Sequence, residues 1–180
     1  KHNYLRVVKY VLKHALKAKL ITTYPGENIQ IKFPESQRQF LSKEEIQIVA
    51  NIEFDRPAVQ DAFLFSCFTG LRMADIMSLE WSNIKNGYLH FTQHKTGQSE
   101  RIKLSDTAKD ILSRQERSSR KIFDLPTRKH LFKAINRLME QANLGKKVTF
   151  HCARHTFATQ LIENGAELLT VQKLMGHRDI

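Results

Sequence analysis

The sequence predicts a mainly α fold with one small β-hairpin or sheet, an α+β arrangement. Three observations lead there. Apolar residues recur at helical spacing through most of the 180 residues. Residues that start or stop helices, namely Ser42 with Glu45, Pro57, Gly70 and Gly165, stand at the ends of those stretches. One interval, Tyr88 to Leu104, alternates instead with period two about a Lys95-Thr96-Gly97 turn.

The first element is an amphipathic helix over residues 3–20, with Leu5, Val8, Leu12 and Leu16 as its stripe and Val11 and Ala15 widening it. Arg6, Lys9, Lys13 and Lys17 form a row on an adjacent face, and no acidic residue occurs before Glu27. Such a row repels itself unless it meets a counter-charge, so it belongs either to solvent or to a nucleic-acid backbone. Residues 21–40 hold Pro25, Gly26 and Pro34 with little periodicity and read as a linker. Ser42 and Glu45 make a capping box that opens a helix to about Ile52. Pro57 suits the first turn of the next helix, which runs through Ala62-Phe63-Leu64-Phe65 to Gly70. A short helix to about Leu79 follows, then strands at Tyr88–Gln93 and Arg101–Leu104. Further helices are expected at 106–115, 127–142, 152–164 and 167–175.

Composition narrows the partners. Twenty-nine Lys and Arg against eighteen Asp and Glu leave a net charge of +11, which favours a polyanion, nucleic acid before membrane. No run of eighteen apolar residues occurs, so no membrane span is expected. Cys67 and Cys152 form no CxxC pair and point to a reducing compartment rather than a disulfide framework. No signal peptide is read, and the absence of an initiator Met, with a helix already under way by Tyr4, suggests a fragment of a longer polypeptide.

The residues suited to chemistry concentrate in Phe150–Ile180. His151 and Arg154, three apart, share one helix face, and His177 follows directly on Leu174-Met175-Gly176. Two imidazoles and a guanidinium are suited to a phosphate under attack. His155 points about 100° away from Arg154 and suits packing or capping. His151 and His155 have the spacing of a zinc helix, but Cys152 stands where HExxH has its Glu, and no third ligand is placed; no metal is expected. Upstream, Arg72 follows Gly70, and Asp75 lies at a spacing that can orient it. Lys95 at the hairpin tip could deliver a proton to a site elsewhere.

Arg72 within TGLRMADI, the hairpin Lys95, His151 with Arg154 and His155, and LMGH ending in His177 occur in order between Leu41 and the last residue. Together they resemble the catalytic domain of the tyrosine recombinases, the phage-integrase family. The basic helix and proline-bearing linker resemble the end of that family's core-binding domain. The resemblance implies a tyrosine-recombinase catalytic-domain fold over 39–180, preceded over 1–38 by the last helix of a truncated core-binding domain and its linker. It implies a site-specific DNA recombinase or integrase, from a mobile element, that breaks and rejoins DNA through a 3′-phosphotyrosine. No metal or nucleotide cofactor is implied. Double-stranded DNA is the implied partner, in a tetrameric synapse for the full-length protein, with the fragment monomeric and the location the bacterial cytoplasm and nucleoid.

The implied roles follow position by position. Arg72 and Arg154 would hold the non-bridging oxygens, and His177 would add a hydrogen bond. Lys95 would protonate the leaving 5′-oxygen, His151 would accept or shuttle the tyrosine proton, and Asp75 would support Arg72. Two departures stand out. Ala153 occupies the Leu position of HxLRH, and the chain ends three residues after His177. Tyr4, Tyr10, Tyr24 and Tyr88 all lie in the wrong place, so the nucleophile is expected beyond Ile180 and the fragment is expected to be inactive in cleavage. Arg6, Lys9, Lys13, Lys146 and Lys147 are the candidate DNA contacts, with the basic stretch 114–121. A type IB topoisomerase and a DNA-binding module without catalysis are the alternatives.

Overall fold

The computed structural model describes residues 2–26, 29, 39–94 and 97–175. The chain divides into two compact units, Lys1–Gln37 and Arg38–Ile180.

The first unit is built on helix α1, His2–Lys17. It is shorter than expected, because Lys19 adopts a left-handed conformation (φ 57°) and the chain turns back, with Leu20 N donating to Ala15 O at 2.9 Å. The apolar stripe is open: Leu5 is 40% and Val8 51% exposed. Arg6, Lys13 and Lys17 are exposed, whereas Lys9 Nζ donates to the carbonyl of Ile29. One member of the basic row thus serves the fold of its own unit.

The second unit contains α2 (Lys43–Asn51), α3 (Pro57–Thr69), α4 (Met73–Ser78), a 3-10 turn (Trp81–Asn83), β1 (Ile84–Lys85), β2 (Tyr88–Thr92), β3 (Ser99–Lys103), α5 (Asp106–Ser113), α6 (Arg128–Gln141), α7 (Phe150–Glu163) and α8 (Leu168–Leu174). Helix α3 is its axis. A helix apolar on all sides must be covered on all sides, and α3 buries Val59, Ala62, Phe63, Leu64, Phe65 and Cys67. It packs on α7 most extensively, and on α5, α6 and α2. Phe63 meets Phe150 of α7 edge-on at 5.7 Å, and Phe65 meets Phe123 at 5.5 Å. Each fully buried side chain of this size contributes roughly 1.5–3 kcal/mol of transfer free energy. The start of the unit is pinned to α7 as well, since Leu41 N donates to Thr156 Oγ1 at 2.9 Å.

The helix signals act where the sequence places them. Glu45 N donates to Ser42 Oγ at 3.3 Å and Ser42 N donates to Glu45 Oε2 at 2.8 Å, completing the capping box. Pro57 stands in the first turn of α3, and Gly70 ends it in the left-handed conformation. The sheet holds more than the expected hairpin. Its order is β1-β2-β3, all antiparallel, and β1 joins β2 across Asn86 (φ 50°) and Gly87 (φ 76°). Two consecutive positive φ values define the tight turn that Asn-Gly favours. Strand β3 also starts earlier than expected, at Ser99, which pairs with Thr92.

Lys146, expected on DNA, has partners within the fold. Its ammonium pairs with Glu45 at 2.7 Å and donates to Phe40 O at 3.2 Å, so it clamps the loop before α7 onto the start of α2. Lys147 is exposed. Burial works to raise the Glu45 pKa, but the Lys146 hydrogen bond, the Ser42 N–H and the Lys146 charge together outweigh it and lower the pKa. A carboxyl lowered in the folded state adds stability at pH above its unfolded value, and that stability is lost as pH falls through the folded one. Lys146→Met should therefore lower Tm at neutral pH by the equivalent of about 1 kcal/mol or less, with the gap closing in acid. A gap independent of pH, in parallel melts of both proteins, would leave the ion pair without a part in stability.

No helix among the described residues is long and apolar enough to cross a membrane.

Candidate active site

The site forms where three helix ends meet. Gly70, at φ 69°, turns the chain out of α3 so that Leu71 enters the core and Arg72 becomes the residue capping α4. The turn is held by Gly70 N donating to Ser66 O at 2.9 Å and by Ser66 Oγ donating to Leu71 O at 2.9 Å. Arg72 is thereby fixed at its backbone and half-buried at its side chain.

Its guanidinium is held by the residue that follows β2. Arg72 Nη1 donates to Gln93 Oε1 at 2.6 Å. Asp75, expected to orient Arg72, instead accepts from His94 N through Oδ1 at 2.9 Å. Its Oδ2 is buried without a hydrogen-bond partner among the described residues. Asp75 thus secures the end of β2 to α4, and Gln93 does the work on the arginine.

Helix α7 brings the second group. Thr149 caps it, its Oγ1 accepting from His151 N at 3.2 Å. His151 is exposed in the first turn, and its ring meets that of His155 edge-on at 4.5 Å, which gives His155 a packing role. Arg154, one turn on, is only 5% exposed. Nη1 donates to the carbonyl of Gly70 and Nη2 to that of Met175. One guanidinium therefore ties the end of α3 to the end of α8. Burial first, and the charge of Arg72 second, push the Arg154 pKa down to about 10, while Asp75 opposes the fall. Two cations held this close, one out of water, give the site a standing affinity for an anion.

Arg72, Thr149, His151 and Arg154 line a cleft of ≈ 570 Å³, together with Phe132 and Arg128. Arg128 was not anticipated. It opens α6, where a cation opposes the helix macrodipole, and that unfavourable placement is the signal by which it could have been found. Lys95 and His177 lie outside the described residues. In the chain Lys95 directly follows His94, whose N–H Asp75 holds, and His177 stands two beyond Met175, whose carbonyl Arg154 holds. Arg6, Lys13 and Lys17 belong to the first unit.

Fold and site define an α+β domain with a cationic cleft at the end of its central helix. Residues 39–180 match the family model described as the phage integrase family, and the chain belongs to that family. The tyrosine recombinase XerD of Oceanobacillus iheyensis is 30% identical over 177 residues, covering 85% of this chain and 59% of the relative. XerD of Listeria monocytogenes is 33% identical over 132 residues, 62% of this chain and 43% of the relative. The chain spans about half the length of the curated relatives it matches. Among solved structures, a lambda integrase dimer bound to a COC′ core site superposes with a TM-score of 0.79 at 22% identity, over 96% of this chain and 67% of that one. The Tn1549 transposon integrase in complex with circular intermediate DNA gives 0.76 at 19% identity, over 99% and 71%. The mainly helical fold with its three-stranded antiparallel sheet is thus the fold of the integrase catalytic domain.

Proposed function

We propose that this chain supplies the catalytic domain of a site-specific DNA recombinase or integrase that works through a 3′-phosphotyrosine intermediate. The observation that carries the reading is the buried Arg154 beside Arg72, facing a cleft that His151 also lines. A tyrosine hydroxyl attacks the scissile phosphorus, the P–O bond to the 5′-oxygen breaks, and the enzyme keeps the 3′-phosphate as a diester of tyrosine. A 5′-hydroxyl from a second strand then reverses the step. Negative charge grows on the non-bridging oxygens during both steps, and fixed guanidinium forks stabilise it. Arg72 and Arg154 are those forks. Arg154 spends two N–H groups on Gly70 O and Met175 O and is held rigid by them, so its remaining donors need no reorganisation. His151 takes or relays the tyrosine proton, Lys95 protonates the departing 5′-oxygen, and His177 donates to the phosphate. The nucleophile lies beyond Ile180.

Arg128 extends the cationic wall along the cleft and contacts the DNA backbone, as do Lys147, Arg6 and Lys13. Residues 1–38 are the end of the core-binding domain, and the enzyme acts in the bacterial cytoplasm on nucleoid DNA. The likeness to a transposon integrase supports an origin in a mobile element. The working form is a tetramer on two duplexes, and this chain alone is monomeric.

Two measurements test the proposal. The 180-residue chain should bind duplex DNA with an affinity that falls about a thousandfold between 50 and 200 mM salt if some six phosphates are contacted. The natural polypeptide that contains it should yield a protein–DNA adduct that survives denaturation, joined through a tyrosine after Ile180. Relaxation of supercoils without a specific site would move the assignment to a topoisomerase. Failure to form any adduct would reduce it to DNA binding.

A further inference from the structure

Gln93 is a polar residue in the last place a strand tolerates one. It follows β2 directly, is 3% exposed, and is the side chain that holds Arg72. Its backbone N–H donates to Gln98 O at 2.8 Å and its carbonyl accepts from Gly97 N at 2.9 Å, so its main chain closes the hairpin. Its side chain points the other way, into the site. Oε1 accepts from Arg72 Nη1 at 2.6 Å, and Nε2 donates to Glu100 Oε1, on the neighbouring strand, at 3.3 Å. The charges at the two ends settle which way the amide lies. Flipped, it would set N–H groups against a guanidinium and an oxygen against a carboxylate.

We infer that Gln93 is a positioning residue for Arg72, and that its neutrality is the functional point. A carboxylate in its place would hold the guanidinium equally well but would neutralise the charge that a phosphate must meet. The amide separates the two tasks. It accepts one N–H and fixes the fork, and it passes on only part of the Glu100 charge as a polarised dipole. Arg72 keeps its full cationic character toward the cleft. The adjacent bond from His94 N to Asp75 Oδ1 secures the same strand end to α4, so the acceptor cannot drift from the helix it serves. An acceptor bonded at both ends of its amide is pre-organised, and pre-organisation is what makes an arginine effective at an oxyanion.

The inference rests on the recombinase reading, and the experiment separates the two. Single-turnover cleavage of a duplex target by the natural polypeptide is compared for wild type, Gln93→Met and the exchange Gln93→Glu with Glu100→Gln. Gln93→Met removes the bonds to Arg72 and Glu100 and should slow cleavage tenfold or more, by less than the hundred- to thousandfold loss expected on deleting a direct donor such as Arg72. The exchange restores an amide–carboxylate pair of the same size and net charge, with the carboxylate now against Arg72. It should melt like wild type and bind duplex DNA equally well, yet cleave at least tenfold more slowly. A methylphosphonate target, with one non-bridging oxygen replaced by methyl and one negative charge fewer to stabilise, should shrink the penalty of the exchange. Wild-type cleavage by the exchange variant would overturn the inference and leave Gln93 a structural residue. Wild type that forms no adduct would overturn the recombinase reading, and this inference with it.

Discussion

Arg154→Ala in the natural polypeptide should lower the rate of covalent DNA capture by about a hundred- to a thousandfold or more, while duplex affinity stays within a few-fold. The same substitution should also lower Tm. Arg154 is buried, and its loss orphans two carbonyls, those of Gly70 and Met175, at roughly 1–3 kcal/mol each. The kinetic comparison therefore belongs well below the melting transition of the variant. Arg154→Lys separates charge from geometry, because an ammonium keeps the cation but cannot bridge two carbonyls and still present a fork. It should recover affinity and little of the rate. The direction of the Arg154 pKa supplies an independent readout. A base whose folded pKa is depressed, here to about 10, costs stability while charged, and that cost is relieved as pH rises through the folded value. An anion in the cleft relieves the same cost at neutral pH. Added inorganic phosphate should raise Tm more for wild type than for Arg154→Ala, and equal gains would remove Arg154 from the anion site.

Much of this is legible in the sequence, and the rest is not, for identifiable physical reasons. Ser42, Pro57 and Gly70 were legible because capping and helix termination depend on residues within one turn of each other. Strand β1 was missed although Asn86-Gly87 is a strong local hairpin signal; a two-residue strand simply leaves no periodicity to notice. The site was legible as residue types in order. Their connections were not. Arg154 meets Gly70 across 84 residues and Arg72 meets Gln93 across 21. No local rule reports such pairs. The Lys146 ion pair was illegible for the same reason, since Glu45 is 101 residues away. Asp75 had the right spacing to reach Arg72, and the family resemblance pointed the same way. Its carboxylate went to a main-chain N–H just past β2 that the sequence could not bring into view.

The side chains at the end of α3 divide the labour. Arg154 holds the ends of α3 and α8 together, Gln93 holds Arg72, and Asp75 holds the strand that carries Gln93. All three depend on the path of the chain through one residue, Gly70. It contributes the carbonyl that Arg154 grips, the turn that sets Arg72, and an absent side chain where Phe157 sits.

Gly70→Ala should accordingly be among the most damaging single-methyl additions in the chain. At φ 69° an alanine pays about 1–2 kcal/mol for the left-handed conformation. Its Cβ would also stand 2.4 Å from Phe157 Cδ1 and 2.9 Å from Cε1, well inside contact distance with a ring of the neighbouring helix. Overpacking of this kind costs typically 1–3 kcal/mol more, so a total near 3 kcal/mol and a drop in Tm of several degrees are expected. Any relaxation that relieves the clash moves α3 from α7, and so moves Arg72 relative to Arg154, so cleavage should fall further than the lost stability accounts for. The two costs can be told apart in a double-mutant cycle. In a Phe157→Ala background the steric part vanishes and only the conformational part remains, so Gly70→Ala should then cost about 1–2 kcal/mol. An unchanged cost in that background would mean that the ring is not what the methyl meets. A cost near zero in both backgrounds would mean that the turn after α3 does not require glycine, and that Arg72 is placed by something other than the backbone at Gly70.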